Sequence, residues 1–189
     1  MKFLILHGTG ANHTDNWFPW LTSELQKRGH EVWTPDLPDA DRPNIQKYNQ
    51  LLLNQNFDFS NAVVIGHSSG AVAILGLLEA LPDDTKLNTA VLVGSFTKRM
   101  IESPSWEMLK ELFDDPFDYE GIKQKSGQFI FVHSDDDPYC PIEQAEFLAE
   151  KLGGEMHRFT GMGHFSKSLD PRFDSFPELL EIIEQKVLS

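Results

Sequence analysis

The chain has a single cysteine, Cys140, in 189 residues, and it is short of positive charge. Sixteen Lys and Arg stand against 29 Asp and Glu, a formal net charge of −13. One cysteine excludes any disulfide within the chain and makes a cytoplasmic location the expectation. The cationic deficit argues against nucleic acid, whose phosphates need clustered Lys and Arg, and against anionic membrane surfaces or highly anionic substrates. The charges are scattered rather than blocked, so their plain role is to keep the protein in solution. Long apolar runs are missing too. The opening Met1-Lys2-Phe3-Leu4-Ile5-Leu6 has four apolar residues before His7-Gly8. That is too few for a signal-peptide core, and no other stretch has the length to cross a bilayer. Repeats, low-complexity tracts and Gly/Ser linkers are absent as well. Residues 1–189 are therefore expected to form one domain, long enough to bury roughly 70% of its unfolded surface.

What is there is an alternation of short apolar runs with helical patterns, the mark of a parallel sheet flanked by helices. Strands are expected at 3–6, 31–34, 62–65, 90–93, 129–132 and about 155–159, most as continuous apolar runs because both sheet faces are covered. Trp17, Trp20, Leu21 and Leu25 recur at helical spacing, with Gly29 as the stop. Residues 69–81 are apolar nearly all round and predict a buried helix on the sheet. A helix over 143–152 ends at Gly153-Gly154. The last helix opens with Ser175-Phe-Pro-Glu178, a capping-box pattern, and places Phe176, Leu179, Leu180, Ile183 and Val187 on one face. Residues 95–128 are expected to hold one or two helices, one carrying Trp106, Met108, Leu109 and Leu112. That is too little for a separate lid domain.

The chemistry concentrates at Gly66-His67-Ser68-Ser69-Gly70, directly after the apolar run 62–65. A buried strand running into G-x-S-x-G and then a helix describes the nucleophile elbow of an α/β-hydrolase. The chain must reverse within about one residue there, so a Cβ at either flank would clash. A hydroxyl needs a base to become a nucleophile, and the base needs a carboxylate to fix its tautomer. In this fold both come from loops at the carboxyl ends of later strands, in the order Ser, Asp or Glu, His. His133-Ser134-Asp135-Asp136-Asp137-Pro138 follows the fifth strand and Gly161-Met162-Gly163-His164-Phe165 the sixth. His164 is the expected base. Asp137 is the preferred carboxylate because Pro138 sets the chain direction after it; Asp135 and Asp136 are the alternatives. In His7-Gly8-Thr9-Gly10 the N–H of Thr9, with that of Ser69, is the expected oxyanion hole.

Other readings of the same residues carry less. The glycines at 8 and 10 lack the third glycine of a dinucleotide fingerprint, since position 13 is His. His7, His67 and His133 lack ligand spacing and read as structural, so no metal or cofactor is expected. His157 reads as a packed or surface strand residue, Cys140 as a small buried one, and Trp17, Phe18 and Trp20 chiefly as core.

With Trp-x-x-Trp-Leu at 17–21, Gly-His-Ser-Ser-Gly-Ala at 66–71, Asp-Asp-Pro at 136–138 and Gly-His-Phe at 163–165, the chain resembles a known family along nearly its whole length. These are the small lidless serine hydrolases of the α/β-hydrolase fold, typified by bacterial YdeN and retinoblastoma-binding protein nine. The resemblance implies a three-layer α/β fold of six parallel strands in the order 2-1-3-4-5-6, with helices on both faces. It also implies a triad at Ser68, Asp137 and His164, which favours Asp137 over its neighbours. Cleavage of small carboxylic esters through an acyl-enzyme is the expected activity. Amide, peptide or thioester hydrolysis is the runner-up, and a non-catalytic protein-binding module on the same fold the alternative from another class.

Overall fold

A computed structural model describes residues 1–97, 106–113 and 116–189, with the side chain of Trp106 outside the description. Six strands form one sheet: β1 (Lys2–Leu6), β2 (Glu31–Trp33), β3 (Val63–His67), β4 (Leu87–Val93), β5 (Ser126–Ser134) and β6 (Glu155–Phe159). Their order is β2-β1-β3-β4-β5-β6, every pairing is parallel, and the expected α/β-hydrolase topology is the one observed. Strands β4 and β5 run longer than the apolar runs that predict them. Their extensions pair with each other, Leu87 with Ser126 and Thr89 with Gln128, so backbone bonding carries the ladder past the apolar signal.

Because side chains alternate along a strand, each strand feeds two cores. Leu4, Leu6, Val64, Leu92 and Phe131 face one cluster, and Phe3, Ile5, Val63, Val93 and Val132 face the other. Helix α1 (Phe18–Lys27) and α7 (Pro177–Lys186) contribute to the second cluster. The first takes α2 (Ile45–Leu53), α3 (Ser69–Ala80) and α6 (Ile142–Leu152). Residues 69–78 of α3 are all buried, in line with its unbroken apolar composition. Helix α1 leads to Gly29 at φ +83° and α6 ends on Gly153 at φ +67°, positions that favour a residue without Cβ.

Among the described residues between β4 and β5 lie two short helices, α4 (Trp106–Leu109), continued by a 3₁₀ turn at Lys110–Leu112, and α5 (Tyr119–Gln124). Leu109 and Leu112 are buried while Met108 is 41% exposed; residues 98–105 and 114–115 of the 95–128 segment lie outside the described residues. Two sequence expectations need revision. Helix α2 has no counterpart among them, although Asn44 caps it by accepting the Lys47 N–H and its apolar residues recur at helical spacing. The capping box at 175–178 does not form: Pro177 occupies the first turn, Phe176 is the cap, and no side chain bonds there. Proline sets φ at the first helical position and starts the helix without a polar cap.

Candidate active site

All the predicted site residues sit at the carboxyl edge of the sheet. Ser68 follows β3 at φ +57°, ψ −120°, a conformation that costs an L-residue about 1–3 kcal/mol. Packing holds it there. A Cβ on Gly66 would drive into the carbonyl of Gly70, and one on Gly70 into the carbonyls of Leu6 and His7. A Cβ on Gly8 would stand 3.0 Å from that of Ser68. The Ser68 N–H is anchored on the carbonyl of Val93 at 2.8 Å. Helix α3 begins at once, and Ser68 puts no side-chain cap on it. The Ala71 and Val72 N–H groups close on the Ser68 carbonyl at 2.9 and 3.3 Å, and those of Ser69 and Gly70, ahead of them, have no carbonyl of the helix to reach. Thr9 is brought beside this turn, its hydroxyl donating to Ser69 Oγ at 3.0 Å.

The carboxylate and the imidazole come from the loops after β5 and β6. His164 Nδ1 lies 2.6 Å from Asp137 Oδ2, and the Asp137 side chain is wholly buried. The other carboxylate oxygen accepts the N–H groups of Tyr139 and Cys140, both at 2.9 Å. Burial by itself would raise the pKa of Asp137. The bond to His164 and that ring's charge, joined by the two N–H donors, outweigh it and hold the carboxyl below its ordinary range. Asp137, Cys140 and His164 bring ligand-type atoms within 4.8 Å of one another. Both Asp137 oxygens are already engaged, so the group reads as an oriented carboxylate–imidazole pair.

The neighbouring aspartates have other partners. Asp136 accepts from the Ser134 hydroxyl and from the N–H groups of Met162 (3.1 Å) and Gly163 (3.0 Å), tying the β5 loop to the one that delivers His164. The Ser134 bond, then the Gly163 N–H, lower its pKa. Asp135 takes the Thr160 hydroxyl at 2.8 Å.

Three buried histidines brace the same region. His67 Nε2 donates to the His164 carbonyl at 2.8 Å, and the two rings lie 4.8 Å apart, tilted by 46°. Burial pushes its pKa down to about 3, and the nearby His164 adds to this. His133 Nε2 donates to the Cys140 carbonyl at 2.7 Å and steadies the turn holding Asp137. His7 Nδ1 donates to the Gly8 carbonyl at 2.9 Å, while its Nε2 accepts the Leu37 N–H at 2.8 Å. Burial lowers the pKa of both. His157 is partly buried in β6, 3.2 Å from Glu155.

One contributor escapes the sequence reading. Gly94, at φ +58° after β4, lets the His164 ring come so close that a Cβ would sit 3.1 Å from its Cε1. The legible signal is a glycine ending a buried strand at the same edge as Ser68. The two residues flanking His164, Gly163 and Phe165, also have positive φ, +52° each. Buried Phe165 is held by the Trp17 indole N–H on its carbonyl (3.1 Å) and by stacking on Phe176. Ser68 and His164 open on a common cavity of about 820 Å³ whose lining includes Thr9, Phe96 and Cys140. Trp17, Phe18 and Trp20 stay out of it.

Fold and site together define an α/β-hydrolase. The serine hydrolase family model matches residues 3–185, and the chain belongs to that family. It is 29% identical to YdeN of Bacillus subtilis over 180 residues, 95% of this chain and 92% of that protein. It is 24% identical to the serine hydrolase RBBP9 of Rattus norvegicus over 186 residues, 97% and 94% of the two. The crystal structure of the B. subtilis ydeN gene product superposes with a TM-score of 0.87 at 28% identity, covering 97% of each chain. The esterase EaEST from Exiguobacterium antarcticum shares the fold, with a TM-score of 0.71 at 17% identity over 100% of this chain and 92% of that one. Among the described residues no helix is long and apolar enough to cross a membrane.

Proposed function

We propose that the protein hydrolyses small carboxylic esters, with Ser68 as nucleophile, His164 as base and Asp137 as the carboxylate that orients it. One observation carries the reading: His164, held by a 2.6 Å bond to the buried Asp137, lines the same cavity as a serine held at φ +57° between a buried strand and a buried helix. Because Nδ1 faces the carboxylate, Nε2 is the nitrogen left to work as the base. Ser68 Oγ bonds to the ester carbonyl carbon as its proton passes to His164 Nε2. The carbon–alkoxy bond then breaks, and His164 returns the proton to the departing alcohol. Water next attacks the acyl-serine, giving its proton to His164. The carbon–Oγ bond breaks, the acid leaves, and the proton goes back to Ser68.

The N–H groups of Thr9 and Ser69 are proposed to receive the oxyanion, at the positive end of α3. The Thr9–Ser69 hydroxyl bond supports this by joining the two segments that carry them. His67 supports the base. Its depressed pKa keeps it neutral, so no second positive charge stands against the imidazolium as it forms.

The test is covalent labelling with a fluorophosphonate, read by intact mass and peptide mapping on the wild type and Ser68→Ala. One adduct on Ser68, absent from the variant, is expected. Folded wild type without an adduct overturns the reading.

A further inference from the structure

The two walls of the cavity are chemically unlike. Strand β3, which delivers Ser68, lies between β1 and β4. On the β1 side the lining comes from the β1–α1 loop and from the residues after His164: Asp15, Asn16, Ser166, Lys167 and Ser168. These segments are bonded to each other, the Lys167 N–H donating to Asn16 Oδ1 at 2.8 Å. On the β4–β5 side the lining is Phe96, Met108, Leu109, Pro138, Tyr139 and Cys140. Of these Phe96, Leu109 and Cys140 are buried, while Met108 and the ring of Tyr139 form an exposed rim. The nucleophile thus stands at a boundary between a hydrogen-bonding surface and an apolar one.

Resting on the ester-hydrolase reading, we infer that the substrate is an ester of an apolar acid with a neutral, hydroxylated alcohol. The acyl group lies on the Phe96–Leu109 wall and the alcohol on the Asn16–Ser168 wall. The charge of the alcohol follows from the polar wall. Among the described residues the cation of this wall, Lys167, is paired with Asp174, and Asp15 adds a carboxylate, so an anionic alcohol is repelled. Donors remain for hydroxyls. Asn16 uses its side-chain oxygen on Lys167 and keeps its amide N–H groups. Ser166 and Ser168 lie 3.0 Å apart, and whichever donates to the other, one O–H proton remains.

The assignment of halves follows from the order of bond changes. The acyl group must stay in place after the alcohol has gone, and contact with buried apolar side chains holds it without blocking solvent. The alcohol leaves and water enters on the same side, and a hydrogen-bonding wall accommodates both.

The experiment compares kcat/KM for glycerol monobutyrate and ethyl butyrate, which share an acyl group, and for butyl glycerate, in which the polar and apolar halves are exchanged. Glycerol monobutyrate is expected to exceed ethyl butyrate about tenfold, the worth of one or two well-placed hydrogen bonds, with butyl glycerate slowest. Asn16→Gly, which tolerates the φ of +50° at that position, and Ser168→Ala should each pull the ratio toward one. Met108→Ser should slow both butyrates and leave their ratio unchanged. Equal rates for the two butyrates, or a ratio indifferent to both polar-wall variants, overturns the proposal. Preference for butyl glycerate overturns the assignment of halves. Fluorophosphonate labelling of Ser68 runs alongside: where it persists, failure belongs to this inference, and where it is lost, to the hydrolase reading.

Discussion

Around Ser68 the chain is positioned by what it lacks, across the cavity by what it holds. Gly66 and Gly70 let β1, β3 and α3 approach to distances that a Cβ would prevent, Gly8 adds a tight contact on Ser68 itself, and the serine conformation is held by that packing. Asp137 and His164 sit on loops, and their place depends on a set of directed bonds: Asp136 to Met162 and Gly163, His133 to Cys140, His67 to the His164 carbonyl. Steric fit tolerates no intermediate arrangement, since overlap rises steeply with approach. A hydrogen-bond set loosens one member at a time. On the proposed assignment of roles, the Ser68 side should therefore fail abruptly and the Asp137–His164 side by degrees.

The largest effect tests whether the acid–base side can lose its chemistry and keep its shape. Asp137→Asn preserves volume but not charge, and turnover of a p-nitrophenyl ester should fall about 10⁴-fold in a folded protein. Loss of folding instead would mean the carboxylate is chiefly structural. Next, Gly66→Ala and Gly70→Ala should each destabilise by about 3 kcal/mol, because the atoms met are backbone. Urea midpoints near the wild type would show that the elbow has slack.

A third effect is pH-dependent. Folded His67 titrates near 3 against an ordinary value of 6.5, so between those values the unfolded chain binds the extra proton. Stability is full above about pH 6.5 and falls as pH drops toward about 3, by roughly 1.4 kcal/mol per pH unit from this group. His7 and His133, also depressed by burial, add in the same direction. His67→Gln should flatten the pH slope of the urea midpoint, and an unchanged slope would assign it to other groups. The smallest effects separate the aspartates. Asp136→Ala leaves two N–H groups without their carboxylate and should cost about 1–2 kcal/mol with a partial loss of turnover. Asp135→Ala should stay within about 0.5 kcal/mol and keep full activity. Equal effects at 135 and 136 would remove the proposed loop clamp.

Much of this is legible in the residues alone, though unevenly. Apolar runs locate most of the six strands because a doubly covered sheet demands them, and G-x-S-x-G locates the turn because its glycines answer a local steric need. Helix α2 is missed although Asn44 and its apolar spacing are local signals. The capping pattern at 175–178 misleads because proline can open a helix without such a cap. Asp135, Asp136 and Asp137 are alike as residues, and Pro138 together with the family likeness leans toward the one that meets His164.

By itself the sequence determined the parallel sheet, its burial on both faces and the order in which serine, aspartate and histidine reach its edge, since periodicity and turn chemistry act over a few residues. Tertiary structure alone decided which oxygen meets which nitrogen, that Gly94 must yield room to His164, that His67 is buried into neutrality, and that a polar wall faces an apolar one. Those depend on segments as far apart as residues 16 and 167, and distances between remote segments are set only when the whole chain has packed.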